Sequence, residues 1–268
     1  MPQDGYFTDA SMLRRVHREF AVALSGQRAL LLQATHPVAF EGFFAHTGAL
    51  DEPYLRLQRT AQVMDTIGFG SREAADRATR RVRAMHRRVR GETTKQAGRF
   101  PPGTPYAGDD PVLLLWILAA LVDSALLVYE KYVRRLSRDE RDAYWQDYKV
   151  IGNLFGLADT DMPDTIEDFE AYVHDFLTGE DFFITEEARA LAVQIVMRPP
   201  VPFAARPLLE LANQITVGWL PARVRKGYGL RWDPLRHVAL HGGAEYVKRV
   251  VVPVLPDRLR LVSSARAA

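Results

Sequence analysis

The sequence predicts an all-α fold. No segment alternates apolar and polar residues with period two. Apolar side chains instead recur three and four apart in one segment after another, and the intervals between segments carry helix-start residues or Gly and Pro.

Taken in order, residues 11–24 carry Leu13, Val16, Phe20 and Leu24 as a helical stripe, with Arg14, Arg15, Arg18 and Glu19 on the polar side. Ser25 reads as the N-cap of a helix from Gln27 to Thr35, apolar nearly all round and therefore central. Pro37 lacks a backbone donor and is expected to end or kink that helix directly after His36. Val38 to Leu50 holds Phe40, Phe43, Phe44 and His46, and Asp51-Glu52-Pro53 opens the next helix. Its stripe is Tyr54, Leu57, Ala61, Met64 and Ile67, and Gly68-Phe69-Gly70 stops it. Ser71 begins another, striped by Ala75, Ala78, Val82, Met85 and Val89 and otherwise largely covered in arginine.

Residues 91–110 read as a long loop rich in Gly, Pro, Thr and Lys, ending in a cap for the apolar run 112–129. That run has the minimum length for a membrane span, but Asp123 and Ser124 interrupt it, so a buried core helix is the better reading. Asp123, if ionised there, needs a partner such as an arginine. Ser137 to Glu140 and Thr165 to Asp168 are capping boxes, and Thr185 starts a helix that Pro199-Pro200 terminates. Helices are expected over 207–220, 221–226 and 234–250, with a basic, frayed tail after Pro256. The chain reads as one domain, residues 1–268, with a core of about 11–256.

Composition narrows the function. A net charge of +2 is too small to indicate nucleic-acid binding. The absence of cysteine excludes disulfides, thiolate metal sites, Fe–S clusters and thiol nucleophiles. The N-terminus lacks the layout of a signal peptide, which makes the cytoplasm the expected location. Phosphate loops, dinucleotide fingerprints, His-Glu-x-x-His, nucleophile elbows and Glu-x-x-His pairs do not occur. His36, Glu41 and His46, each five apart, turn away from one another on a single helix and make a poor metal site.

What remains is Arg56-Leu57-Gln58-Arg59-Thr60, which sets Arg56, Arg59 and Thr60 on one helix face, bracketed by His36 and His86. The arginines around His86 admit three readings: a solvated helix face, a nucleic-acid surface, or an anion site in which guanidinium forks hold carboxylates or phosphates. Arg83, Arg87 and Arg90 disfavour an added proton on His86, leaving the neutral imidazole that a metal requires. Both histidines also read as packed core residues.

The runs QATHPVAF, RLQRT and FGSREAADRATRRVRAMHRRVRG, then Tyr106 with DDPVLLLWILAALVDSALLVYEKYV, resemble the MpaB-type oxygenase family. LSRDERDAYWQDYKVIGNLFG and LPARVRKGYGLRWDP extend the likeness, from about Arg14 to Pro256. That family includes the catalytic domain of the latex-clearing rubber oxygenases. The resemblance implies a single-domain helical bundle with a globin-like core carrying haem b. It implies His86 as the proximal iron ligand, and Arg56 and Thr60 as the distal arginine and threonine. Arg59 stands where the family has a lysine that can bind iron, and a guanidinium offers no lone pair. The sixth iron position is then open, or filled by water or by His36, which could also act as acid–base.

Arg56, Arg59, Arg83 and Arg90 become the candidate cofactor-binding residues, with His36, Arg56, Arg59 and Thr60 as candidate catalytic ones. The implied partners are a small apolar or lipid-like substrate and dioxygen or peroxide, with no nucleic acid. Membrane contact through the 112–129 helix is the less favoured reading. The alternative function is a cofactor-free binding or interaction protein that retains the fold.

Overall fold

A computed structural model describes residues 4–42 and 53–266. The segment 43–52, with His46 and the acidic residues of the expected start at Asp51 and Glu52, lies outside the described residues, as do the side chains of Pro53 and Arg56. About 71% of the chain is helical and the sheet is two-stranded, so the class is all-α.

The first helix, α1 (Met12–His17), is shorter than its stripe predicts. Glu19 is extended (φ −77°, ψ 120°), and a 3-10 turn over Phe20–Leu24 follows. Phe20, expected inward, is exposed, while Glu19 is buried. The reason lies far along the chain: Arg260 binds the Glu19 carboxylate, and Val262 N–H donates to Arg18 O. This also corrects the expected frayed tail, which is docked on the start of the chain.

The turn runs straight into α2 (Ser25–Gln33), so Ser25 is its first residue and makes no side-chain cap. Pro37 does not terminate α2, which has already ended; it opens α3 (Pro37–Phe40) at a first-turn position where its missing N–H costs nothing. Next come α4 (Pro53–Phe69) and α5 (Arg72–His86), with Ser71 Oγ accepting from Ala74 N–H as expected.

The expected loop after α5 contains a hairpin. β1 (Arg90–Glu92) pairs antiparallel with β2 (Pro105–Ala107), with Gly91 opposite Tyr106. Three residues are too few to display a period of two.

The apolar run forms α6 (Pro111–Tyr132), N-capped by Asp110, whose carboxylate accepts from Val112 N–H at 2.9 Å. It is long and apolar enough to cross a membrane, yet Trp116, Ala119, Val122 and Ala125 have no exposure. It is the core helix, contacting α1, α2, α3, α7, α8 and α12. Both capping boxes form, at Ser137 before α7 (Arg138–Phe155) and at Thr165 before α8 (Ile166–Thr178). Gly156 ends α7 in the left-handed region (φ 107°), which glycine adopts without a Cβ penalty. Thr185 caps α9 (Glu186–Met197), followed by α10 (Arg206–Trp219), α11 (Ala222–Tyr228) and α12 (Pro234–Tyr246). A π-turn over Val247–Val251 leads to α13 (Val252–Val254), α14 (Asp257–Arg260) and α15 (Ser263–Arg266).

Asp123 has the arginine partner that its position requires. Arg28, itself buried, donates to Asp123 Oδ2 (2.6 Å), Ser124 Oγ (2.8 Å) and Trp219 O (3.0 Å). One guanidinium thereby ties α2 to α6 and to the end of α10.

Candidate functional site

His86 is the last residue of α5, and its position follows from the helix that carries it. Ala75, Thr79 and His86 are the buried residues of α5, while the arginines between them face outward. The His86 ring lies near-parallel to Phe155, with centroids 6.5 Å apart, at the C-terminal end of α7. Arg83, one turn earlier, packs over Gly156: a Cβ built there would meet Arg83 Nε at 3.4 Å. A cation at that place complements the carbonyl end of α7.

The chain then turns sharply. Val89 N–H donates to His86 O, and Gly108 N–H donates to Val89 O. A Cβ at Gly108 would sit 2.6 Å from His86 O and 2.9 Å from Val89 Cβ, so only glycine lets β2 pass this close. Arg90, on the next residue, reaches both carboxylate oxygens of Asp109 at 3.0 and 3.1 Å in an exposed ion pair.

The α4 and α5 helices form a hairpin joined by Gly70 and Ser71. Arg56–Thr60 lie 11 to 15 positions before this turn in α4, and His86 lies about 15 positions after it in α5. Burial along the pair is graded. Near the turn Ile67, Gly68, Ala75 and Thr79 are buried; at the other end Leu55 and Met85 stand 36% and 44% exposed. Arg59, Thr60 and Ala61 are exposed there as well, although Ala61 belongs to the predicted apolar stripe. Leu55, Ala61 and Met85 are thus exposed apolar side chains on the two helices that carry the motif and His86, while His86 and Val89 are buried.

His36 occupies a separate, tightly fixed position. The bend between α2 and α3 is pinned by remote donors: Tyr228 Oη to Leu31 O (2.7 Å), Trp116 Nε1 to Leu32 O (3.2 Å) and Phe183 N–H to Thr35 O (2.9 Å). His36 Nδ1 accepts from Ala39 N–H at 3.4 Å and so caps α3. Its ring lies between Phe100 and Phe176, at centroid distances of 5.5 and 5.6 Å. Burial pushes its pKa down to about 4, so the imidazole is neutral at pH 7. With Nδ1 accepting, Nε2 carries the proton.

A haem needs from the protein one axial nitrogen, an apolar surface and cations for its carboxylates. The buried His86 imidazole, the exposed apolar Leu55 and Met85, and the surface guanidinium groups of Arg59, Arg83 and Arg87 are side chains of those three kinds on α4, α5 and the turn that follows. No group of three or more His, Asp or Glu that could hold a bare metal ion occurs among the described residues.

The sequence singles out His36, Arg59, Thr60, His86, Arg83 and Arg90; α4, which carries Arg59 and Thr60, packs on α5, which ends at His86. The sequence motifs pass over Phe155, Phe100, Phe176 and Gly108. Only Gly108 left a signal, as a glycine between the turn after Tyr106 and the cap at Asp110. The aromatic neighbours come from distant helices and loops.

No curated protein and no solved structure matches the chain. Residues 14–249, most of its length, match the family described as ER-bound oxygenase mpaB/B'/Rubber oxygenase, catalytic domain. The chain belongs to this oxygenase family.

Proposed function

We propose that the protein is a haem b-dependent oxygenase or related oxidoreductase, with iron held by His86 and a cationic distal side at Arg56–Thr60. The observation that carries this reading is the buried His86 imidazole at the last residue of α5, the helix that packs on the α4 helix bearing Arg59 and Thr60. When bound, haem b supplies the redox chemistry toward dioxygen or peroxide.

The residues of the chain have distinct tasks in this scheme. His86 would provide the nitrogen that holds the iron, and the Phe155 ring stacks beside its buried imidazole. Arg59 is permanently protonated and offers only donors, so it would not hold the iron and would stabilise negative charge beside the cofactor. The Thr60 hydroxyl lies one residue on and can both donate and accept. Arg56 joins this face by its place in the motif. Arg83 and Arg90 suit the propionate carboxylates, and Arg90 would exchange its contact with Asp109 to reach one. His36, neutral with Nε2–H outward of its cap, serves as a hydrogen-bond donor or proton carrier rather than an iron ligand. The exposed apolar side chains of α4 and α5 suit a small apolar or lipid-like substrate.

Titration of the purified protein with haemin, followed by absorption, tests the reading. One equivalent should saturate a sharp Soret band, and His86→Ala should abolish that band while leaving the helical circular dichroism intact. A protein that takes up no haem supports the alternative of a cofactor-free binding protein.

A further inference from the structure

The last quarter of the chain differs from the rest in both charge and exposure. Residues 198–266 contain twelve Lys and Arg against four Asp and Glu, a net of +8 in a chain whose total is +2. The remaining residues are therefore net acidic. The same stretch holds nine of the fourteen large apolar side chains that are exposed among the described residues, so basic and exposed apolar residues are concentrated in the same elements.

The apolar positions are patterned. Leu208 and Leu211 stand one turn apart on α10, directly after exposed Phe203. On α12, Leu235, Val238 and Tyr246 share one face at helical spacing. Each helix has its inner face elsewhere: Ile215 and Leu240 pack into the cluster around Trp219, and Gly218 lets α10 and α12 approach closely, with Leu240 against it. The outward leucines are therefore not a displaced core. Phe203 is 81% exposed and Leu235 79%, close to the exposure of an unfolded chain. Exposed arginines at 206, 231, 236 and 249 lie along the same stretch, and the Arg206 guanidinium stands 5.3 Å from the centre of the Phe203 ring. Of these, Arg236 pairs with Asp233 and Arg249 with Glu245 in exposed contacts that lipid phosphates would compete for.

We propose that this surface docks the protein on an anionic membrane, with Phe203 and the outer faces of α10 and α12 entering the interface and the arginines meeting lipid phosphates. Interleaved apolar and basic side chains on helices lying at the surface are what interfacial binding requires. A second copy of the chain is a poor occupant, because a self-complementary contact would oppose two strongly basic surfaces. The docking proposed runs through this surface and does not use α6, the one long apolar helix among the described residues, which is buried. It does not depend on haem or on the α4–α5 end of the molecule.

Co-sedimentation of the full chain with phosphatidylcholine vesicles, with and without phosphatidylserine, tests the proposal. Binding is expected on the phosphatidylserine vesicles and should weaken as salt is raised. Combining Phe203→Ser, Leu208→Ser and Leu235→Ser should lower the partition coefficient at least about tenfold, because each buried apolar side chain contributes substantially. All three sites are exposed, so circular dichroism and the melting temperature should not change. Three results would overturn it: no partitioning onto anionic vesicles at low salt, equal partitioning by the triple variant, or self-association in solution that the same variant abolishes.

Discussion

Arg260 grips Glu19 with two hydrogen bonds, 2.8 Å from Nε and 2.7 Å from Nη2, and so joins the end of the chain to its beginning. Glu19 is 2% exposed. Removing the guanidinium leaves the buried carboxylate with only the Arg18 guanidinium, 3.8 Å away, a change whose upper bound is about 3–5 kcal/mol, that of a fully broken buried pair. Arg260→Ala should therefore lower the unfolding free energy by up to that amount in urea titration. Glu19→Gln, which removes the charge rather than stranding it, should cost less. A melt that is indifferent to Arg260→Ala would show that the tail merely rests on α1.

The same logic applies at the centre of the fold. Arg28 is buried and donates to Asp123, Ser124 and the Trp219 carbonyl together. Lysine has neither the planar fork nor the reach for three acceptors. Arg28→Lys should destabilise by about 1–3 kcal/mol. A double-mutant cycle with Asp123→Asn should show a coupling energy, because the two groups share one network. Additive losses would contradict that.

Stability should fall with acid before the carboxylates titrate. His36 and His17 are each pushed down to about 4 from 6.5, both by burial. An unfolded chain binds these two protons as pH drops through 6.5, whereas the folded chain resists them until near 4. Their stabilisation is complete above the unfolded value and is lost as pH falls toward the folded one. Each contributes a slope approaching about 1.4 kcal/mol per pH unit in that window. Urea unfolding at pH 7, 6 and 5 measures the slope. His36→Asn, which can still cap α3, should reduce it, and a pH-independent midpoint over this range would refute the assignment.

Gly108 offers a test of the geometry that holds His86. Gly108→Ala forces a Cβ against the His86 carbonyl and Val89. Overpacking of this kind costs about 1–3 kcal/mol. It should also weaken haem uptake, while an alanine at exposed Gly229 or Gly242 should leave haem uptake unchanged.

Much of the fold was legible because its signals are local. Ser71, Asp110, Ser137, Thr165 and Thr185 all cap the helices that follow them, and the buried reading of α6 and an arginine partner for Asp123 both hold. The misreadings have remote causes. The break at Glu19 depends on residue 260, and the docked tail is the other half of that contact. The β1–β2 pairing joins strands of three residues each, too short for a pattern. Pro37 was compatible with ending one helix or starting another, and the donors from Trp116, Phe183 and Tyr228 decide between them. In the site, the motif at 56–60 and His86 could be seen in the sequence. The aromatic enclosure of both histidines could not, because Phe100, Phe155 and Phe176 come from other elements.

The most direct measurement is chemical rescue at position 86. His86→Gly, reconstituted with haemin, should lack the spectrum of a histidine-ligated haem and regain it when imidazole is added. A purely structural His86 predicts otherwise: His86→Gly would bind haemin with the wild-type spectrum, and imidazole would change nothing. That result would remove the iron from His86 and the haem assignment with it.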